Sequence, residues 1–126
     1  MKKKVLLVSS LVLAVIVITV AVLYKNTDWF SAEPDNSIVL FFSENCSHCQ
    51  NVEAFLESNN VAEKISFENK QLDNNPANVA DLRNKAAICG LQGNIGIPFL
   101  WVGADKKCLM GDVDVIDFFQ TKLNQL

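Results

Sequence analysis

Val5 to Leu23 is an apolar run of nineteen residues without a charge. As a helix rising about 1.5 Å per residue it spans roughly 28 Å, close to the hydrocarbon thickness of a bilayer. Setting residues 1–25 aside leaves 101 of the 126 residues, enough for one small domain and too few for two. The 50 % apolar content therefore divides between a membrane segment and a single core, and disorder, a collagen-like chain and a multidomain enzyme are excluded.

Lys2, Lys3 and Lys4 precede the run and Lys25 closely follows it. The run is longer than a signal-peptide core of about 7–15 residues, and no small-x-small cleavage site follows it cleanly. Thr19-Val-Ala21 lies inside the apolar stretch, and Phe30-Ser-Ala32 carries a bulky Phe. The expectation is an uncleaved anchor over 1–24, a tether over 25–36 and a domain over 37–126, with secretion after cleavage as the alternative. The excess of lysine before the run places the N-terminus in the cytoplasm and the domain outside, as a single-pass membrane protein. Trp29 and Phe30 are candidates for the headgroup region.

Beyond Lys25 there are seven Lys/Arg against fourteen Asp/Glu, a charge of −7. That balance argues against nucleic acid, whose partners carry a basic footprint.

The domain reads as β-α-β-α-β-β-α. Ile38 to Phe42 is a continuous run suited to a buried strand, and residues 46–59 carry Val52, Phe55 and Leu56 at helical spacing. Lys64 to Asn69, with Ile65 and Phe67 alternating, is the second strand. Asn74-Asn75-Pro76 opens a helix whose inner face is Val79, Leu82 and Ala86 and which ends at Cys89-Gly90. Phe99 to Val102 and Lys107 to Met110 are strands around a Gly103–Asp105 turn, and Asp112 is the expected N-cap of the last helix. The crossover helix implies a parallel first pair, and the short turn an antiparallel last pair. The fold class is α/β, with a four-stranded mixed sheet flanked by helices and preceded by one transmembrane helix.

Four cysteines stand at 46, 49, 89 and 108. Cys46-Ser-His-Cys49 falls where a buried strand meets a helix, and its spacing sets both sulfurs on one turn. The free N–H groups and the macrodipole of the helix start stabilise a thiolate on Cys46, the species that attacks a disulfide. Cys49, one turn in, resolves the mixed disulfide. His48, between them, can donate to the Cys46 sulfur; a more stable thiolate makes the pair more oxidising, which favours an oxidant or isomerase over a reductase. A CxxC also binds metal, so a membrane-tethered metal-binding module or metallochaperone is the alternative. A structural zinc site needs a second Cys/His pair, however, and the one histidine is inside the motif; no metal site is assigned. Cys89 and Cys108 are read three ways: a structural disulfide favoured by the even count and exported location, an electron relay, or two separate thiols.

The strand ending at Phe42, Cys46-Ser-His-Cys49-Gln50, and Gly96-Ile97-Pro98 before a strand resemble the thioredoxin superfamily over about residues 37–124. The short topology is similar to glutaredoxins. The Cys-x-His-Cys-Gln turn is similar to Dsb-type oxidoreductases and to the thioredoxin-like domains fused to bacterial vitamin K epoxide reductase homologues. The chain departs from the pattern at Glu44-Asn45, where many thioredoxins have Trp, and at Met110, where glutaredoxins have Gly. The resemblance implies a thioredoxin fold, a cis Pro98 facing the cysteines, and a substrate groove shaped by Ile97 and Pro98. Gly111 matches a glycine that glutaredoxins use near glutathione. It implies a thiol–disulfide oxidoreductase that needs no cofactor beyond the Cys46–Cys49 disulfide. Its implied partners are cysteine-containing exported proteins and a membrane redox protein of vitamin K epoxide reductase-like or Dsb type, the protein itself being a monomer.

Overall fold

A computed structural model describes Met1, residues 12–21 and residues 35–126. The chain divides into two compact units, Met1–Glu33 and Pro34–Leu126. In the first, residues 12–21 are helical with exposed side chains. The rest of the Val5 to Leu23 run, Trp29, Phe30 and most of the tether lie outside the described residues. Among those described, no helix is long and apolar enough to cross a membrane.

The second unit runs β1 (Ile38–Phe42), α1 (Ser47–Ser58), α2 (Val61–Lys64), β2 (Glu68–Gln71), α3 (Pro76–Ile88), β3 (Phe99–Val102), β4 (Lys107–Met110) and α4 (Asp112–Leu123), with a 3₁₀ turn at Gly103–Asp105. The four strands form one mixed sheet in the order β2-β1-β3-β4. β1 pairs parallel with β2 and antiparallel with β3, and β3 pairs antiparallel with β4. The expected α/β class, four-stranded mixed sheet and sense of the first and last pairs agree with this.

Alternation along the central strands supplies two cores. Leu40, Leu100 and Val102 face Val52 and Leu56 of α1 and Val115 and Phe119 of α4. Val39, Phe41, Phe99 and Trp101 face Leu82 and Ala86 of α3. A strand with both faces covered needs apolar residues at every position, which explains the unbroken Ile38–Phe42 and Phe99–Val102 runs. Each fully buried aliphatic side chain contributes about 1.5–3 kcal/mol.

Three helix ends agree with the expectation and one differs. Asn75 caps α3 by accepting from the Asn78 N–H at 3.1 Å, ahead of Pro76. At its C-terminus Gly90 takes φ +72°, and the Leu91 N–H reaches back to Ala86 O at 3.0 Å, closing the last turn. Asp112, expected as an N-cap, is instead the first helical residue of α4; Gly111, at φ +91°, holds the cap position without a side chain. The helix expected over 46–59 is α1, Ser47–Ser58 between the caps Cys46 and Asn59, and Asn60 at φ +49° turns the chain into α2, which buries Val61.

The second strand is the larger correction. It spans Glu68–Gln71 rather than Lys64 to Asn69, because its place is fixed by backbone pairing of Val39 with Glu68 through Phe42 with Gln71. Ile65 and Phe67 alternate because they pack against the α1/α4 core before the strand begins. As an edge strand, β2 is polar throughout.

Candidate active site

The site assembles at the end of β1 from three separate segments. Ser43 to Asn45 leave the strand in a loop that Asp73 holds from the far side of β2: the Ser43 hydroxyl donates to Oδ1 at 2.7 Å and the Glu44 N–H to Oδ2 at 2.9 Å. These bonds, Ser43 first, hold the Asp73 carboxyl below its ordinary pKa. The Gln50 amide donates to Glu44 O at 3.0 Å and fastens the loop to α1.

Cys46 caps α1, and the Cys49 N–H points at its sulfur from 3.2 Å. The two cysteines are joined in a disulfide with Cα atoms 5.2 Å apart. Cys49 is buried and Cys46 half-buried, so the sulfur nearer solvent is also the one at the helix start. An amide hydrogen aimed at Cys46 Sγ stabilises the negative charge this sulfur carries when the bond is opened. The pair can take up two electrons and two protons to give two thiols.

The second segment is Ile97-Pro98, whose peptide bond is cis. Ile97 O lies 3.8 Å from Cys46 Sγ, and Pro98 is fully buried at the start of β3. The third is the turn into α4: the Gly111 N–H donates to Pro98 O at 2.9 Å, tying this turn to the proline. Cys46, Cys49, Ile97, Pro98 and Gly111, five residues singled out from sequence, are thus brought together.

His48 is adjacent, with Nδ1 placed 3.0 Å from Asp112 Oδ1 rather than at the Cys46 sulfur, whose N–H donor is Cys49. Asn51 donates to Asp112 Oδ2 at 2.7 Å. Asn51 first and His48 second hold the Asp112 carboxyl below its ordinary pKa. The sequence reading missed Asp112 in this role, Asn51 and Asp73. Each acts over a separation of 29 to 64 residues, and no local pattern marks such a pairing.

Cys89 and Cys108 form a second disulfide, Cα atoms 6.3 Å apart, between the end of α3 and β4. Two separate thiols are therefore excluded. Both residues pack against the α3 core. Among the described residues, no group of three or more His, Cys, Asp or Glu is arranged to hold a metal ion.

The chain has no significant match among protein-family models, curated proteins or solved structures.

Proposed function

We propose that the protein is a thioredoxin-type thiol–disulfide oxidoreductase, anchored in the membrane by its N-terminal segment and working on the extracytoplasmic side. The observation that carries this reading is the Cys46–Cys49 disulfide at the start of α1, with Ile97 O 3.8 Å from its outer sulfur. A backbone carbonyl beside a half-buried sulfur is suited to a polypeptide substrate, whose own N–H groups can pair with it.

In the oxidising direction a substrate thiolate attacks Cys46 Sγ. The Cys46–Cys49 bond breaks, and Cys49 leaves with the electron pair and takes up a proton. A second substrate thiolate then attacks its own sulfur in the mixed disulfide and releases Cys46 as thiolate. The substrate loses two electrons and the cysteine pair gains them. A membrane redox protein of vitamin K epoxide reductase-like or Dsb type returns the pair to the disulfide. Substrates are exported proteins with cysteines, and the acidic charge of the domain keeps nucleic acid off.

A Cys49→Ala chain tests the reading, because Cys46 then cannot be released internally. Expressed in its own compartment, it should accumulate mixed disulfides that vanish on reduction and are absent from Cys46→Ser/Cys49→Ala. An empty trap refutes the proposal. A reduction potential in the range of cytosolic thioredoxin, about −270 mV, would reverse the direction to reductase.

A further inference from the structure

His48 holds the second position of α1, between the cysteines, with its side chain 66 % exposed. An exposed imidazole ordinarily samples several rotamers. This one is held at Nδ1 by Asp112 Oδ1, while Asp112 Oδ2 accepts from Asn51, one turn further along the same face of α1. Asp112 is 19 % exposed and opens α4, where the helix start favours an ionised carboxylate. Among the described residues, no other carboxylate oxygen comes within 4.0 Å of a His48 ring nitrogen.

We propose that Asp112 is a positioning residue of the cysteine pair, acting through His48: it fixes the imidazole with its proton on Nδ1, leaving Nε2 as the ring's acceptor. The inference rests on the redox reading above and adds a proton path to it. When Cys46 is reduced, its thiol proton passes to Nε2, directly or through one water, giving a thiolate and an imidazolium whose Nδ1–H stays on Asp112. The thiolate attacks a disulfide, one S–S bond forms as another breaks, and the departing thiolate recovers the proton from Nε2. Asp112 touches no reacting sulfur.

The chain has a single histidine, so nitrogen-15 labelling yields one imidazole whose two nitrogen shifts report where the proton sits. In the full chain with the ring neutral, the Nδ1–H form should dominate. Asp112→Ala should shift it to Nε2–H, and Asp112→Asn, which keeps an acceptor oxygen and nearly the same shape, should retain part of the Nδ1–H form. The second readout is alkylation of Cys46 by iodoacetamide in the reduced Cys49→Ala chain at about pH 7. Asp112→Ala should slow it about threefold, and Asn51→Ala less, by lowering the thiolate fraction. With His48→Ala present, that slowing should disappear. A dominant Nε2–H form in the unsubstituted chain, no slowing, or equal slowing with and without His48 overturns the proposal. Neither readout involves a protein substrate. Intact coupling with an empty trap would sink the oxidoreductase reading alone, and a loaded trap without coupling would sink only the role of Asp112.

Discussion

Asp35 should be the costliest polar side chain to remove from the domain, although it is 46 % exposed and outside the predicted elements. Its Oδ2 accepts from the Trp101 indole N–H at 2.8 Å, and its Oδ1 from the Ser37 N–H at 2.9 Å. Trp101 is 2 % exposed, so Asp35→Ala removes the acceptor of an otherwise buried indole N–H. An orphaned buried donor costs about 1–3 kcal/mol, and about 2 kcal/mol is expected here, or roughly 10 °C in Tm for a unit of this size. The assay is urea unfolding of the whole chain followed by circular dichroism, repeated in a Trp101→Phe background where the donor is absent. There Asp35→Ala should cost about 0.5 kcal/mol, the low end for an exposed hydrogen bond such as the one from the Ser37 N–H. Equal losses in both backgrounds would refute the reasoning. Acid supplies a second check. Ser37, and after it Trp101, lower the Asp35 pKa from 3.8 to about 2. A depressed carboxylate contributes stability above its unfolded pKa of about 4, and that contribution is lost as pH falls through about 2. At this exposure solvent screening holds the ionic share to about 1 kcal/mol or less. The gap between the unsubstituted chain and Asp35→Ala should narrow by that amount between pH 4 and 2, and a gap that widens would contradict the assignment.

Two further substitutions probe the same end of the domain. Replacing Cys89 and Cys108 together by Ala opens a loop with a sequence separation of 19. It should cost about 3 kcal/mol in urea unfolding while leaving the Cys46–Cys49 reduction potential unchanged; a moved potential would favour the relay reading. Gly103→Ala places a Cβ against the backbone carbonyl and carboxyl carbon of Asp35, so it should destabilise by about 1–3 kcal/mol. Its loss should shrink in an Asp35→Gly background, where part of the obstruction is gone.

Legibility followed sequence separation. The strands Ile38–Phe42, Phe99–Val102 and Lys107–Met110 were readable because burial on two faces or a tight turn leaves a local mark. The second strand was misplaced because Ile65 and Phe67 carry the apolar alternation of a core contact, while Glu68–Gln71 carries only backbone pairing. Asp112 drew attention as a helix cap because acidic residues favour helix starts in isolation. Its actual partners lie on α1, 61 and 64 residues away. Asp35 offered one usable hint: a Trp within an otherwise apolar strand needs an acceptor for its N–H.

The same division runs through the candidate site and bears on what tuned it. Cys46 and Cys49 are three residues apart, and their chemistry follows from a helix start alone. Several groups around that pair arrive from elsewhere: Asp73 bonds the incoming loop, Ile97 sets a carbonyl beside the outer sulfur, and Asp112 bonds the imidazole between the cysteines. The sheet order β2-β1-β3-β4 makes this convergence possible, since β1 is central and its C-terminal end is flanked by the end of β2 and the start of β3. On the proposed reading the motif specifies the reaction class, whereas its tuning rests on residues 27 to 66 positions from Cys46, which are placed by strand register and helix packing. Substitutions at Asp73 or Asp112 should accordingly retune the cysteine pair without removing its chemistry, and only changes at Cys46 or Cys49 should abolish it.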